Sequence, residues 1–358
     1  MRFNSDQIQK IGKEISSKVD GKTLFDEFSR GRYSTDASVY QIKPLGVVLP
    51  KDTNDVLSLM EYSQKNSVPL LARGGGSSQC GQTVGESVVL DYSKHQNKIL
   101  ELNVEEKYVW VQPGVVLDHL NAYLKPHGLW FPVDVSTSSR ATIGGMSANN
   151  SCGSRSLYYG NMVHNVLAIE AILDDGSIFQ FDQINKNYLA TKNNQDRLYK
   201  IIDKFIDVRQ KVGSEIDANW PTTQRRVGGY NIDLIDPEGF NSSNLLVGSE
   251  GTLSLFNKIK LKLSEIPKNK ILGVCYFDNF HQAMELSKEI VKLKPTCVEL
   301  MDQNLLNLAK EIPMYAGGIK KYIKGNPEAV LMVEFIDTEK SVYAVSYTHL
   351  TLPTTLNV

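Results

Sequence analysis

The sequence predicts an α+β protein of two domains, of which the second is incomplete within this chain. Three observations support this fold class. The 358 residues are enough for more than one domain. The first two thirds alternate short apolar runs with helical segments and two glycine-rich loops. Near Pro267 the pattern changes to strand, helix and strand, which is typical of the start of a ferredoxin-like domain.

The composition is that of an ordinary globular protein. Hydrophobic residues make up 41% and charged residues 22% of the chain, and the net charge is −1. This balance gives no general attraction for nucleic acid or anionic membranes. No stretch approaches the ~20 apolar residues of a transmembrane helix, and the N-terminus lacks the apolar core of a signal peptide. We therefore expect a cytoplasmic protein without a transmembrane segment, and peripheral association with the inner membrane stays open.

The regular elements are predicted from apolar periodicity and turn residues. An amphipathic helix and a shorter helix are expected within residues 1–39. Further helices are expected over 53–65, 115–124 and 197–212. Strands are expected over 45–49, 68–72, 88–92, 99–102, 108–111, 166–173, 177–181, 245–247 and 253–263. The stretch Asp174-Asp175-Gly176 predicts a hairpin turn, and residues 132–164 predict a long functional loop without regular structure.

The second domain is predicted to begin after residue 265. Residues 272–280 favour a strand, 281–294 a helix, 296–302 a strand and 329–335 another strand. The last fourteen residues, 345–358, do not fit this pattern. They resemble a translated sequencing-adapter tail, and we interpret them as an artefact.

A first glycine-rich loop, Arg73–Gly81, follows a predicted strand. Its three adjacent glycines can adopt positive φ and approach a ligand closely, and successive backbone N–H groups of such a loop can bind a pyrophosphate. A Rossmann fingerprint fails because its third glycine position is Gln79, and the Gly-Lys-Ser/Thr of a P-loop is absent. A ligand-free hairpin loop is the alternative interpretation.

A second segment combines the same properties. Residues 132–136 and 141–154 are rich in glycine, small side chains and amides, which allow close approach and supply many hydrogen-bonding groups. These are properties of a segment that lines a bound cofactor. A long surface loop is the alternative, but two such loops within one domain favour a cofactor site.

Four segments together carry a family resemblance: RGGGSS, PVDVSTSSRATIGGMSANNSCGSRSLYYG, VLAIEAILDDG and GSEGTL. They resemble the FAD-binding (PCMH-type) domain of the vanillyl-alcohol oxidase superfamily. Residues 40–340 are similar to its D-lactate, glycolate and D-2-hydroxyglutarate dehydrogenase branch, especially the large bacterial members fused to an iron–sulfur portion. The resemblance implies an FAD-binding domain of two α/β subdomains at 40–265 and a partial substrate (cap) domain at 266–344. Any iron–sulfur cluster would belong to a C-terminal part absent here.

The resemblance also implies which residues contact FAD. The expected contacts are Arg73, Gly74, Gly75, Gly76, Ser77 and Ser78 at the pyrophosphate, Pro132, Asp134 and Ser136 near the flavin, Thr142, Gly144, Gly145, Asn149, Gly153 and Ser154 along the cofactor, Ile169 near the adenine, and Glu250. A structural, turn-capping role for Glu250 is equally compatible. Many related oxidases bond FAD covalently through a histidine at the position of Ser77. Since serine cannot form that bond, we expect non-covalent FAD.

The substrate residues are less well defined. Arg225 and Arg226 are family-like candidates to bind a substrate carboxylate, and Tyr230 is a candidate pocket residue. Each arginine could equally be a solvated surface residue, and Tyr230 a core residue. No metal site is expected.

The resemblance implies oxidation of a small D-2-hydroxy acid to the 2-oxo acid, with hydride transfer to flavin N5. The electron acceptor is not identified. An inactive FAD-binding fragment and an NADPH-dependent flavin reductase of a cell-wall sugar nucleotide are the alternatives.

Overall fold

A computed structural model describes residues 3–190 and 195–337 of the chain. These residues form two compact units. The first comprises the described residues up to Phe131, then Val135–Ser151 and Asn161–Ser264, and the second comprises Pro132–Asp134, Cys152–Gly160 and the described residues from Glu265 onward.

The elements are numbered in chain order. The strands are β1 Lys22–Leu24, β2 Gly46–Leu49, β3 Leu70–Arg73, β4 Val88–Asp91, β5 Ile99–Asn103, β6 Tyr108–Val111, β7 Leu129–Trp130, β8 Val166–Ile172, β9 Ile178–Phe181, β10 Gln183–Asn185, β11 Gly239–Asn241, β12 Leu255–Lys262, β13 Ser264–Glu265, β14 Asn269–Phe277, β15 Cys297–Asp302 and β16 Ala329–Asp337. The helices are α1 Ser5–Ser16, α2 Glu27–Arg32, α3 Thr53–Asn66, α4 Leu117–Leu124, α5 Ile143–Ala148, α6 Ser156–Tyr159, α7 Met162–Asn165, α8 Lys186–Ala190, α9 Arg197–Asn219, α10 Phe280–Lys292, α11 Gln303–Glu311 and α12 Pro313–Tyr322.

The first sheet of the first unit has the order β1-β2-β4-β3. Strands β2, β4 and β3 are parallel, and the short β1 pairs antiparallel at the edge. Helix α3 connects β2 to β3 as the crossover that parallel strands require, and Asp52 caps it by accepting the N–H groups of Asn54 and Asp55. Helix α1 contributes Ile8, Ile11 and Ile15 to the core beneath this sheet.

The second sheet of the first unit is a five-stranded antiparallel sheet of order β5-β6-β12-β8-β9. The predicted hairpin is confirmed, since β8 and β9 pair antiparallel across residues 173–177 and Gly176 adopts φ +80° at the turn. The first unit thus combines a mainly parallel sheet with a larger antiparallel sheet, and β10 and β11 form a further two-stranded antiparallel pair in it.

The second unit contains a three-stranded antiparallel sheet of order β14-β16-β15. Helix α10 joins β14 to β15, which run parallel to each other on either side of β16. Its buried Ala283 and Ile290 pack on the sheet with Leu331 and Val333. This is the order of the first three strands of a ferredoxin-like fold, as predicted. A helical pair, α11 and α12, is inserted before β16.

Two predicted elements were wrong. Residues 132–164 are not free of regular structure, because they contain the short helices α5, α6 and α7. Their Gly, Ser and Asn content conceals helices of only four to six residues, which carry no apolar period. Residues 245–247 are not a strand, since residues 242–245 form a 3-10 turn and the strand begins at Leu255. The proposed artefactual tail lies outside the described residues.

Within the described ranges, no helix is both long and apolar enough to cross a lipid bilayer.

Replacing Ile15 by alanine tests whether α1 is an integral part of the first unit. Ile15 is completely buried in the core cluster, so Ile15→Ala is expected to lower the free energy of unfolding by about 2–5 kcal/mol. As a control, Phe28 is 75% exposed on α2, and Phe28→Ala is expected to change the free energy of unfolding by less than about 0.5 kcal/mol. Urea denaturation measures the stability of both variants. An unfolding midpoint of Ile15→Ala equal to that of the wild type would contradict the packing of Ile15 in the core.

Candidate cofactor site

A cavity of about 620 Å³, including its open mouth, lies within the first unit. Its walls come from the end of β3 and the following loop, from α5, and from the turn that leads into β12. The lining residues are Ala72, Arg73, Gly74, Gln82, Thr83, Tyr92, Pro113, Thr142, Gly144, Gly145, Ala148, Asn149, Glu250, Gly251, Ser254, Leu255 and Phe256.

The first glycine loop lies directly against the start of α5. A Cβ atom on Gly74 would lie 2.0 Å from Thr142 Oγ1, and one on Gly75 would lie 2.2 Å from the carbonyl oxygen of Arg140. Neither contact is possible for a side-chain atom, so both positions require glycine. The third glycine, Gly76, adopts φ +63°, which glycine tolerates best.

The side chain of Arg73 folds back and stabilises this loop. Its guanidinium donates to the carbonyl oxygens of Tyr33, Thr35 (2.7 Å) and Thr83 (3.1 Å), and it lies 5.3 Å from the centre of the Tyr33 ring. Burial lowers the pKa of this guanidinium from its ordinary value, with Asp91 and Asp36 opposing the shift. The side chain of Arg73 therefore stabilises the loop, and the residue also lines the cavity.

The backbone N–H groups of the loop are available to a ligand. Across residues 3–190 and 195–337, those of Gly74, Gly75, Gly76 and Ser77 donate to no acceptor. Consecutive backbone N–H groups of this kind form an anion-binding concavity when they converge on one point. This arrangement fits the pyrophosphate that the sequence predicts at this loop.

The first turn of α5 forms part of the cavity wall, but its backbone N–H groups are already hydrogen-bonded within the protein. The N–H groups of Ile143 and Gly144 donate to the carbonyl oxygens of Val115 and Pro113 at 2.8 Å, and Thr142 Oγ1 accepts from Gly145 N–H. A Cβ on Gly144 would lie 2.5 Å from Pro113 Cβ. Thr142, Gly144, Gly145 and Asn149 line the cavity as predicted, but Gly144 is needed for close packing on the second sheet.

Glu250 connects two loops that line the cavity. Its carboxylate accepts from Gln82 Nε2 at 2.8 Å, and its backbone N–H donates to Ala148 at the end of α5. Glu250 adopts φ +51°, an uncommon conformation for a residue with a side chain, and such strain is typical of functional sites. Gln82 was missed by the sequence analysis, because nothing in its local sequence indicates a bond to a residue 168 positions away.

Four of the predicted residues, Pro132, Asp134, Gly153 and Ser154, belong to the second unit. There Asp134 accepts from Arg155 Nη1 at 2.9 Å and from the Arg155 backbone N–H at 3.0 Å, and Arg155 Nε donates to Glu334 at 2.7 Å. Glu334 and Asp134 raise the Arg155 pKa, against the effect of burial. A Cβ on Gly153 would lie 2.2 Å from Asp134 Oδ1. This ion-pair network was missed because Glu334 is 179 residues from Arg155.

The predicted substrate residues do not line the cavity. Arg226 forms an ion pair with Asp233 and lies over the Trp220 ring, with its guanidinium carbon 5.5 Å from the ring centre. Arg225 is exposed. The hydroxyl groups of Tyr230 and Thr252 are 2.7 Å apart.

The other predicted cofactor residues lie outside the cavity wall. Ile169 is completely buried on β8, so its side chain belongs to the core. Ser136 is exposed, and Gly75, Gly76, Ser77 and Ser78 are not among the residues that line the cavity, although they directly follow Gly74, which does.

The residues present fit a dinucleotide such as FAD. The unpaired loop amides suit a pyrophosphate. The glycines at positions 74–76, which we call the glycine cradle, have no side chains and so allow its close approach. In addition, the hydroxyl groups of Tyr92 and Ser254, both on the cavity wall, are buried without a hydrogen-bond partner in the described part of the chain.

Comparison with protein families agrees with an FAD site in this chain. Residues 44–182 match the family of FAD binding domains, and residues 266–345 match the C-terminal domain of FAD linked oxidases. Over these residues the chain is therefore similar to an FAD binding domain and to the C-terminal domain of FAD linked oxidases.

Curated relatives and solved structures are consistent with this assignment. The D-2-hydroxyglutarate dehydrogenases of Haemophilus influenzae and Pseudomonas putida are each 34% identical to this chain, over 78% and 90% of it, but these matches cover only 28% and 33% of the relatives. The glycolate oxidase subunit GlcD of Bacillus subtilis is 29% identical over 91% of this chain and 59% of its own length. An alkyldihydroxyacetonephosphate synthase structure aligns with a TM-score of 0.68 at 18% identity, covering 96% of this chain and 58% of that chain, which shows the shared fold. The chain thus spans about a third of the length of the dehydrogenases that it matches.

The glycine cradle can be tested with a pair of substitutions in one loop. Gly75→Ala places a methyl group against the Arg140 carbonyl, so we expect FAD affinity to fall by at least about tenfold, because the loop must move to relieve the clash. In Gly85→Ala the nearest atom, Leu71 Cδ2, is 3.5 Å from the new methyl group, and affinity is expected to stay within about twofold. Fluorescence titration with FAD measures both. Equal affinities for the two variants would contradict the cradle.

His164 is expected to make stability depend on pH. Burial, and then the charge of Arg226, lower its pKa, and its Nδ1 accepts the Asn161 backbone N–H at 3.0 Å. The neutral form is therefore favoured in the folded state. The contribution of His164 to the free energy of unfolding is fully present above its pKa in the unfolded chain, about 6.5. It is lost as the pH falls through the lowered pKa of His164 in the folded protein.

The test compares urea unfolding of wild type and His164→Gln at pH 7.5 and pH 5.0. Glutamine at this helix position can still accept the Asn161 N–H but does not titrate. Wild type should lose more stability than the variant on acidification. An equal loss of unfolding free energy in the two proteins would show that His164 does not contribute to the pH dependence of stability.

Proposed function

We propose that this chain is the flavin-binding and partial substrate-binding portion of an enzyme that oxidises a D-2-hydroxy acid to the 2-oxo acid. The observation that carries the proposal is the joint match to the FAD binding domain and to the C-terminal domain of FAD linked oxidases, in a chain whose glycine loop offers unpaired amides. Because the relatives include D-2-hydroxyglutarate dehydrogenases, D-2-hydroxyglutarate is the first substrate to test. D-lactate and glycolate follow.

The chain's own residues would bind and orient the cofactor. The amides of Gly74–Ser77 would hold the pyrophosphate, while Arg73 keeps the loop in shape. The bond between Gln82 and Glu250 would keep the loops on two sides of the cavity together. With serine at position 77, the loop offers no histidine for a covalent bond, so FAD would be held non-covalently. When bound, FAD accepts the hydride from C2 of the substrate at its N5 atom.

For the substrate, Arg225 and Arg226 are the candidates to bind the carboxylate. Arg226 also pairs with Asp233 and lies over the Trp220 ring, so it would in addition orient the segment that carries both arginines. Tyr230 is a candidate to face the substrate, since its hydroxyl group bonds Thr252, two residues after Glu250. The enzyme would act in the cytoplasm.

Anaerobic reduction of the bound flavin tests this function. The purified protein, reconstituted with FAD, is mixed in turn with D-2-hydroxyglutarate, D-lactate and glycolate while absorbance near 450 nm is recorded. We expect one of these acids to bleach the flavin. Bleaching by NADPH but by none of the acids would contradict the proposal and favour a sugar-nucleotide reductase, and an FAD-loaded protein that stays oxidised throughout would favour an inactive module.

The role of Arg225 has its own test. Arg225→Met removes the charged donors, so the substrate concentration that half-saturates bleaching should rise about 10- to 150-fold, which corresponds to the loss of a hydrogen bond to a charged group. Arg225→Lys keeps the charge and should recover part of this loss. If Arg225→Met bleaches as the wild type does, Arg225 does not bind the substrate.

A further inference from the structure

Two buried hydroxyl groups on the cavity wall have no partner within the protein. Tyr92 is 5% and Ser254 7% exposed. Neither Tyr92 OH nor Ser254 Oγ forms a hydrogen bond to any described residue. Both residues line the same cavity, although they are 162 positions apart: Tyr92 directly follows β4, and Ser254 directly precedes β12.

A ligand in this cavity could supply the missing partners of both groups, because both line its wall. A buried hydroxyl group without a partner loses its bonds to water and gains nothing in return, so a ligand that bonds it gains affinity. Another buried tyrosine of the same core cluster has its partner, because Tyr62 OH donates to Glu14 at 2.6 Å. The burial of Tyr92 also raises the pKa of its phenol, so it stays neutral and able to donate.

The residues around the two hydroxyl groups indicate what kind of ligand the cavity can bind. Ala72, Pro113, Leu255 and Phe256 supply apolar walls to the same cavity. A flat heterocycle with polar edges, or a sugar with hydroxyl groups, suits such a lining. The unpaired amides of Gly74–Ser77 supply the anion site next to it.

The two halves of a dinucleotide differ in what they require. The flavin ring must be reached by a substrate, whereas the hydroxyl groups of Tyr92 and Ser254 are buried in the wall of the cavity. The adenosine half takes no part in the chemistry and can be buried. We propose that the hydroxyl groups of Tyr92 and Ser254 bind the adenosine half of the cofactor and thereby select FAD over FMN. This assignment rests on the proposal that the cofactor is FAD.

The central test uses Tyr92→Phe in the apoprotein, with FAD, ADP and FMN as separate probes in calorimetric titrations. Loss of the hydrogen bond should weaken both FAD and ADP binding about 2- to 12-fold. FMN affinity should not change, since FMN lacks the adenosine half. Ser254→Ala should weaken the same two ligands. If Tyr92→Phe lowers FMN affinity instead, the hydroxyl group faces the flavin half and the assignment is overturned.

Thermal unfolding separates this role from a purely structural one. In the apoprotein, Tyr92→Phe removes a hydroxyl group that has no partner, so the melting temperature should stay equal or rise. The matched control, Tyr62→Phe, removes a bonded hydroxyl group and should lower the melting temperature without changing FAD or ADP affinity. A melting temperature lowered by Tyr92→Phe together with unchanged FAD and ADP affinities would overturn the inference.

These outcomes are distinguishable from a failure of the proposed function. If wild type binds no FAD, the proposed function fails. If wild type binds FAD and Tyr92→Phe binds FAD and ADP equally well, only the present inference fails.

Discussion

The contact between the first glycine loop and the start of α5 is the constraint on which the site depends. Gly74 and Gly75 lie so close to Thr142 and Arg140 that only a hydrogen atom fits on each α-carbon. This contact fixes the backbone of the loop beside the cavity. A loop held further away would direct its amides elsewhere, and the cavity would lose its anion site.

The polar groups around the loop hold its backbone in place and leave its N–H groups unpaired. Arg73 satisfies three carbonyl oxygens of neighbouring segments, which stabilises the loop without using its N–H groups. The first-turn amides of α5 are likewise occupied by the carbonyl groups of Pro113 and Val115. Among the described residues, the backbone N–H groups of Gly74–Ser77 and the side-chain hydroxyl groups of Tyr92 and Ser254 have no hydrogen-bond partner in the protein. A ligand with both phosphate and polar ring or sugar groups would satisfy them all.

The fold was largely predictable, because apolar periodicity and turn residues report local structure. Strand β6 was predicted at its observed bounds, and the β8–β9 hairpin followed from Asp174-Asp175-Gly176. Helices α5 to α7 were missed, since helices of four to six residues rich in glycine and asparagine show no period. In the site, the resemblance identified Gly74, Thr142 and Glu250 on the cavity wall. The partners Gln82, Arg155 and Glu334 could not be found, because their bonds join residues far apart in sequence. Tyr92 and Ser254 were missed because the sequence does not show which buried hydroxyl groups lack a partner.

Acid precipitation of the purified, FAD-reconstituted protein tests most directly whether the first unit holds FAD in the proposed way. After removal of free cofactor, the protein is denatured, and the flavin in the supernatant is identified by chromatography and quantified. One FAD per chain in the supernatant, with a colourless pellet, is the predicted result. A pellet that retains the flavin, release of FMN in place of FAD, or no flavin in either fraction would contradict non-covalent binding of FAD in this cavity.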